Sequence, residues 1–147
     1  MDGVASDVME MTSLAAALGI GLMVGIERER HHYRDNRHNL TGIRTFAITA
    51  LLGCCALITG GQLLLAATSF GLITLLALSY WFAAQEDPGL TTEVAMLLVF
   101  ILGAMTVSHA ATAVAIGVVL TLLLSYREKL HAFVRTQLTD DEIQDAL

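Results

Sequence analysis

The sequence predicts an all-α, polytopic membrane helix bundle of about five transmembrane helices, and three observations carry that prediction. No Asp, Glu, Lys or Arg occurs between Thr45 and Gln85, or between Val94 and Tyr126. One crossing helix needs ~20 apolar residues, so each of these runs has room for two. A third apolar stretch, Thr12 to Ile26, precedes them. Composition points the same way: 55% of residues are hydrophobic and the mean hydropathy is +0.66, both high for a water-soluble domain of this size.

Helix 1 is expected to start with Thr12 or Ser13 as N-cap and to run through Leu14, Leu18, Leu22 and Ile26 into Glu27-Arg28-Glu29-Arg30. The polar stretch from His31 to Leu40 reads as an exposed loop or a frayed helix end. Helix 2 is expected over about Ile43 to Thr59, with Gly60-Gly61 as the turn into helix 3. That third helix covers about Gln62 to Ala84 and ends on Tyr80-Trp81-Phe82, where an interfacial aromatic belt would sit. Pro88-Gly89 breaks the chain again, between Glu86-Asp87 and a helix 4 that starts near Thr91 or Thr92. One helix over 93–126 would be ~50 Å long, more than a hydrocarbon layer of ~30 Å accepts. A tight turn around Ser108, His109 and Ala110 is therefore expected, with helix 5 over about Ala111 to Tyr126. Residues 1–126 thus form one transmembrane domain. Residues 127–147 read as a cytoplasmic amphipathic tail or the start of a linker, in which Thr139-Asp140-Asp141-Glu142 has the form of a capping box.

Charge sets the orientation. The segment from Arg28 to Arg44 holds five of the eight basic residues, and Arg127, Lys129 and Arg135 in the tail are the others. Basic loops stay cytoplasmic. Four crossings between the two basic segments put both on one side, with the N-terminus outside and the C-terminus cytoplasmic. Asp2, Asp7 and Glu10 ahead of the first apolar stretch are unlike the positive start of a signal peptide, so helix 1 is expected to remain in the mature protein. The net charge of -6 gives no nucleic-acid footprint, and the expected partner is the lipid bilayer.

In this topology the ionisable residues at helix ends fall on one side: Glu27 and Arg28 ending helix 1, Arg44 opening helix 2, Asp87 before helix 4 and Glu93 in its first turn. Such groups at membrane depth are costly and tend to be paired or functional. A Glu27–Arg44 pair is the first expectation, with Glu93 as a second partner. Two readings stand side by side: headgroup-level anchors of helix ends, or a buried cluster that binds or gates a cation. Glu27 and Glu93 would be the metal ligands in the second, because Mg²⁺ prefers carboxylate oxygens and keeps several waters. Gly21 and Gly25 have GxxxG spacing, which favours packing within the chain over dimerisation here; Gly103 and Gly117 are further contact points. His31, His32 and His38 beside Asp35 fit no compact metal-ligand template and read as a headgroup-level loop. His109 and the adjacent Cys54 and Cys55 read as structural. No Ser-His-Asp set, phosphate-cradling loop or CxxC motif occurs, so no enzyme and no organic cofactor is expected.

Two segments of the chain carry a resemblance. Leu18-Gly19-Ile20-Gly21-Leu22-Met23-Val24-Gly25-Ile26-Glu27-Arg28-Glu29, followed by Gly42-Ile43-Arg44-Thr45-Phe46-Ala47, resembles the signature of the MgtC/SapB family of bacterial membrane proteins. In that family a Gly-rich first helix ends in Leu/Ile-Glu-Arg-Glu and the second opens with Gly-Leu/Ile-Arg-Thr. The matching positions are Gly21, Gly25, Glu27, Arg28, Glu29, Gly42, Arg44 and Thr45. Gly89-Leu90-Thr91-Thr92-Glu93 and the tail look more like the branch fused to a second membrane domain of unknown function. The resemblance implies a multi-pass protein of the bacterial inner membrane, linked to magnesium homeostasis through transport or sensing of Mg²⁺. The alternative it leaves open is a non-transporting regulatory or binding protein that modulates another transporter. Five helices of modest length rarely enclose a polar path alone, so a homodimer or association with a second membrane domain is expected. The chain ends where the fused branch would continue, so either half of such a protein or a stand-alone form is expected.

Overall fold

A computed structural model describes residues 2–35, 42–83 and 90–126. They form three α-helices: α1 (Asp2–Asp35), α2 (Ile43–Ala83) and α3 (Thr91–Ser125). Three spans within them are long and apolar enough to cross a membrane, Ser6–Arg30, Ile43–Phe82 and Thr91–Ser125. Three continuous elements thus stand where five separate helices were expected. The difference lies at two residues, because α2 and α3 each contain one departure from helical geometry. Gly61 has φ 60° and ψ -151°, and His109 has φ -139° and ψ 55°. A positive φ of this kind suits glycine, which has no Cβ to clash with the backbone.

Helix 1 is longer than expected at both ends. Thr12 and Ser13 do not cap it, since their hydroxyls donate to the Met9 carbonyl at 2.8 and 2.9 Å inside a helix that begins at Asp2. The backbone from His31 to Asp35 continues the helix rather than forming a loop. Nothing in either segment breaks a helix, since no Pro is present. Pro88-Gly89 and the tail with its capping box lie outside the described residues.

The helices meet through glycines. A methyl group added at Gly21 would lie 2.7 Å from the Phe46 carbonyl oxygen and from Ala47 Cα, and one at Gly25 would lie 2.7 Å from Ile43 Cα. Rising residue numbers on α1 thus pair with falling numbers on α2, so the two run antiparallel. Gly53 rests on the Phe100 carbonyl and Gly103 on the Ala50 carbonyl, backbone against backbone. Ala50 meets Gly103 and Cys54 meets Thr106, numbers that rise together, so the first halves of α2 and α3 run parallel. The same small-residue logic packs helices in lipid, where no hydrophobic force separates apolar faces from solvent.

Around these contacts lies an apolar core that includes Val24, Phe46, Ala50 and Val99, all fully buried. Leu76, beyond the break in α2, belongs to that core too. Leu102 and Ala113, on either side of the break in α3, share a second cluster with Ile20, and Gly117 faces Ile20. A straight α3 would hold residues 102 and 113 ~16 Å apart. The break at His109 brings both onto α1.

One polar node joins all three helices. Ser13 Oγ shares its proton between the carbonyls of Met9 and Thr106, 2.9 and 3.2 Å away. The Thr106 hydroxyl donates to the Gly103 carbonyl at 2.7 Å and lies 3.5 Å from Cys54 Sγ. Thr106 stands three residues before His109, where an interrupted helix leaves carbonyls short of intrahelical donors; Ser13 supplies one from the neighbouring helix.

Several hydroxyls away from the core are satisfied locally. Thr59, Thr68, Ser69, Thr74 and Thr121 each donate to a carbonyl one turn earlier on their own helix. Around them stand Leu63, Phe70, Leu75, Trp81 and Phe82, all largely exposed. An apolar surface whose hydroxyls at these five positions bond to their own helix suits a hydrocarbon environment.

Gly103→Ala should destabilise the bundle by ~1–3 kcal/mol, since the obstacle is backbone that cannot rotate away. Gly71→Ala, where an added methyl meets nothing within 4 Å, should leave stability unchanged or slightly higher. Thermal unfolding in detergent micelles separates the two. Ser13→Ala should cost about 0.6–1.7 kcal/mol, the range for an interhelical hydrogen bond in a membrane bundle, read in the same assay.

Candidate functional site

The family-like residues gather at one end of the bundle, where α1 ends and α2 and α3 begin. The Gly25–Ile43 contact places the last turns of α1 beside the start of α2. From the Gly53/Gly103 crossing, Arg44 and Glu93 both lie ~9–15 Å toward this same end at 1.5 Å per residue. Glu27, Arg28, Glu29, Arg44 and Glu93 therefore share a level, brought there by three different helices.

Their environments differ. Arg28 is buried, 7% exposed, while Glu27 and Glu93 are half-buried and Arg30 and Arg44 exposed. A guanidinium held at the end of an apolar bundle tends to be compensated by nearby acceptors. Glu93 lies in the first turn of α3, a position its charge favours through the helix dipole. One of its oxygens, Oε2, is buried and has no hydrogen-bond partner among the described residues.

Glu29 has a defined structural task that sequence reasoning did not assign. Its Oε2 accepts from the Ile43 N–H at 3.1 Å, although the two residues are on different helices. The first turn of α2 has no acidic residue of its own, so Glu29 supplies from α1 the acceptor and the negative charge that a helix N-terminus needs. Gly42 makes room, because a methyl there would lie 3.0 Å from Glu29 Oε2. The Gly42 carbonyl then accepts from the Thr45 and Phe46 N–H groups, at 3.0 and 3.4 Å, and the Thr49 hydroxyl donates to the Thr45 carbonyl at 2.7 Å. Four motif positions, Gly25, Glu29, Gly42 and Thr45, are thus explained by one junction between α1 and α2.

Other candidates are placed as follows. Asp87 and His38 lie outside the described residues, as do the side chains of His31, His32 and Asp35. His109 is exposed at the opposite end of the bundle, and Gly21 and Gly25 are spent on α2, as within-chain packing requires. Among the described residues no three His, Cys, Asp or Glu side chains gather closely enough to enclose a metal ion. A cation at this end would keep much of its water, which is how Mg²⁺ is usually bound. The Ser13–Thr106–Cys54 node and the Gly53 contact are two further features that sequence reasoning missed. For Gly53 a signal existed: Leu52-Gly53 and Leu102-Gly103 occupy matching places in two apolar runs.

Helices of this length and polarity, with their charges near the helix ends and glycines at the crossings, define a membrane-type helical bundle. The family profile described as the MgtC family matches residues 14–133. The chain belongs to that family. Comparison with curated proteins and with solved structures gave no match.

Glu29→Ala should destabilise the protein by roughly 1 kcal/mol, the usual worth of an N-cap, and should raise the amide exchange rate at Ile43. Glu29→Gln, which keeps an acceptor oxygen, should lose less. Hydrogen exchange at Ile43 with thermal unfolding in parallel checks both.

Proposed function

We propose that this chain is a multi-pass bacterial inner-membrane protein of Mg²⁺ homeostasis that binds the hydrated divalent ion at the polar end of its bundle. Membership of the MgtC family supports the magnesium assignment. The observation that carries the site is the buried Oε2 of Glu93, which lacks a hydrogen-bond partner among the described residues. An ionised oxygen in that position is stabilised by a cation, and Glu27 at the same level offers a second carboxylate. In this reading Arg44 pairs with Glu27, Asp87 lies close by, and the protein binds an ion rather than catalysing a reaction.

The two backbone breaks support a five-crossing topology. With turns at Gly61 and His109, each half of α2 and α3 is ~25–33 Å long, close to the thickness of a hydrocarbon core. The basic residues between Arg28 and Arg44 then put the polar end in the cytoplasm, the N-terminus outside and the C-terminus inside. A homodimer, or a second membrane domain, would cover part of the exposed apolar surface.

A regulatory reading, in which the protein modulates another transporter, has one observation of its own. Glu29 is a motif carboxylate that serves the α1–α2 junction, so motif residues can be structural.

Titration of the purified protein in nanodiscs with Mg²⁺, followed by calorimetry, tests the cation site. Glu93→Gln and Glu27→Gln should each weaken binding at least ~10-fold with unfolding temperature little changed. Unchanged binding in both would leave the regulatory reading.

A further inference from the structure

We infer that the cation site at the polar end is one-sided: an ion enters and leaves it from that end only, and the chain does not conduct the ion to the other face. This rests on the cation site proposed above and adds to it the direction of access.

The observations are contacts that close the seam between each pair of the three helices along the first halves of α2 and α3 and beside Gly117. The α1–α2 seam is shut by Gly21 on Phe46 and Ala47 and by Gly25 on Ile43, with backbone as the obstacle in each case. The α2–α3 seam is shut by the reciprocal contacts of Gly53 with Phe100 and Gly103 with Ala50. Ile20 and Gly117, with Leu102 and Ala113 beside them, fill the α1–α3 seam. Further along, Ser13, Cys54 and Thr106 tie the three helices together, each nine-tenths buried or more.

Glu93 and the Thr106 node are 13 positions apart on α3, ~20 Å along the axis. The buried side chains between them are mainly apolar, among them Val24, Phe46, Met96 and Val99; the hydroxyl of Thr49, also buried, gives its proton to the Thr45 carbonyl of its own helix. A divalent ion crossing that stretch would shed its water and meet the single buried hydroxyl of Thr49 in its place, too little to offset the Born penalty. At the α1–α2 and α2–α3 seams the contacts are backbone and leave little slack for a path to open by side-chain rotation alone; at the α1–α3 seam the buried Ile20 side chain fills the gap at Gly117.

The site is therefore suited to reporting ion concentration on one side of the membrane. Occupancy would act on the helix ends directly, since Glu27 and Arg28 adjoin Glu29, the residue that caps α2.

The test uses the full chain in inverted and in right-side-out membrane vesicles, with Mn²⁺ as the probe. Electron paramagnetic resonance reads both the loss of free-ion signal on binding and the Mn²⁺ that reaches the vesicle interior. Wild type is compared with Glu93→Gln and with Glu93→Asp, which keeps the charge and guards against a folding artefact. The expected result is Glu93-dependent binding in inverted vesicles, under a tenth of it in right-side-out vesicles, and entry no greater than in vesicles lacking the protein. Equal Glu93-dependent binding in both polarities, or Glu93-dependent entry, would overturn the inference while leaving the cation site standing. No Glu93-dependent binding in either would overturn the site and the inference together. Binding confined to right-side-out vesicles would reverse the proposed orientation and uphold one-sidedness.

Discussion

Backbone-to-backbone contact at four glycines is the constraint on which the rest of the structure depends. In lipid, apolar side chains gain nothing by leaving one hydrocarbon surface for another, so helices associate where their backbones can approach and gather dispersion contacts. Gly21 and Gly25 give α1 and α2 that approach, and Gly53 and Gly103 give it to α2 and α3. Because the contacts fix both separation and register, they also set which residues stand level at the helix ends. Glu27, Arg28, Glu29 and Glu93 stand level as a consequence of packing several turns away.

Polar groups then finish the architecture where packing leaves a need. Glu29 serves the start of α2, and Ser13 serves a carbonyl near the break in α3. Both donor–acceptor pairs cross from α1 to another helix, so α1 acts as the strut against which the two broken helices are set. Other hydroxyls, those of Thr68, Ser69 and Thr74 among them, bond to their own helices. That division leaves one chemically distinctive place, the end where a buried guanidinium and two half-buried carboxylates share a level.

Much of this was legible in the sequence, for physical reasons that vary with the residue. The uncharged runs 45–85 and 94–126 announced apolar helices, and the departures from helical geometry fall at Gly61 and His109, within the segments expected to turn. Length against bilayer thickness was the signal, a quantity that needs no tertiary knowledge. Helix 1 was misjudged because Thr12 and Ser13 look like caps, yet a hydroxyl can return its proton to its own helix as readily as it can end one. The use of Glu29 was hidden because its partner is a backbone N–H 14 positions away, and main-chain donors carry no mark in a sequence. Cys54 and Thr106 were equally silent: each is an ordinary residue of an apolar run until the crossing of α2 and α3 places them together.

The central claim is that the Glu93 carboxylate at the polar end takes a divalent ion, and infrared difference spectroscopy of the protein in bilayers reads it most directly. Adding Mg²⁺ should shift a carboxylate stretching band that is present in wild type and missing in Glu93→Gln. A spectrum in which Mg²⁺ moves no band assignable to Glu93 would contradict the account and reduce that carboxylate to a helix-end charge.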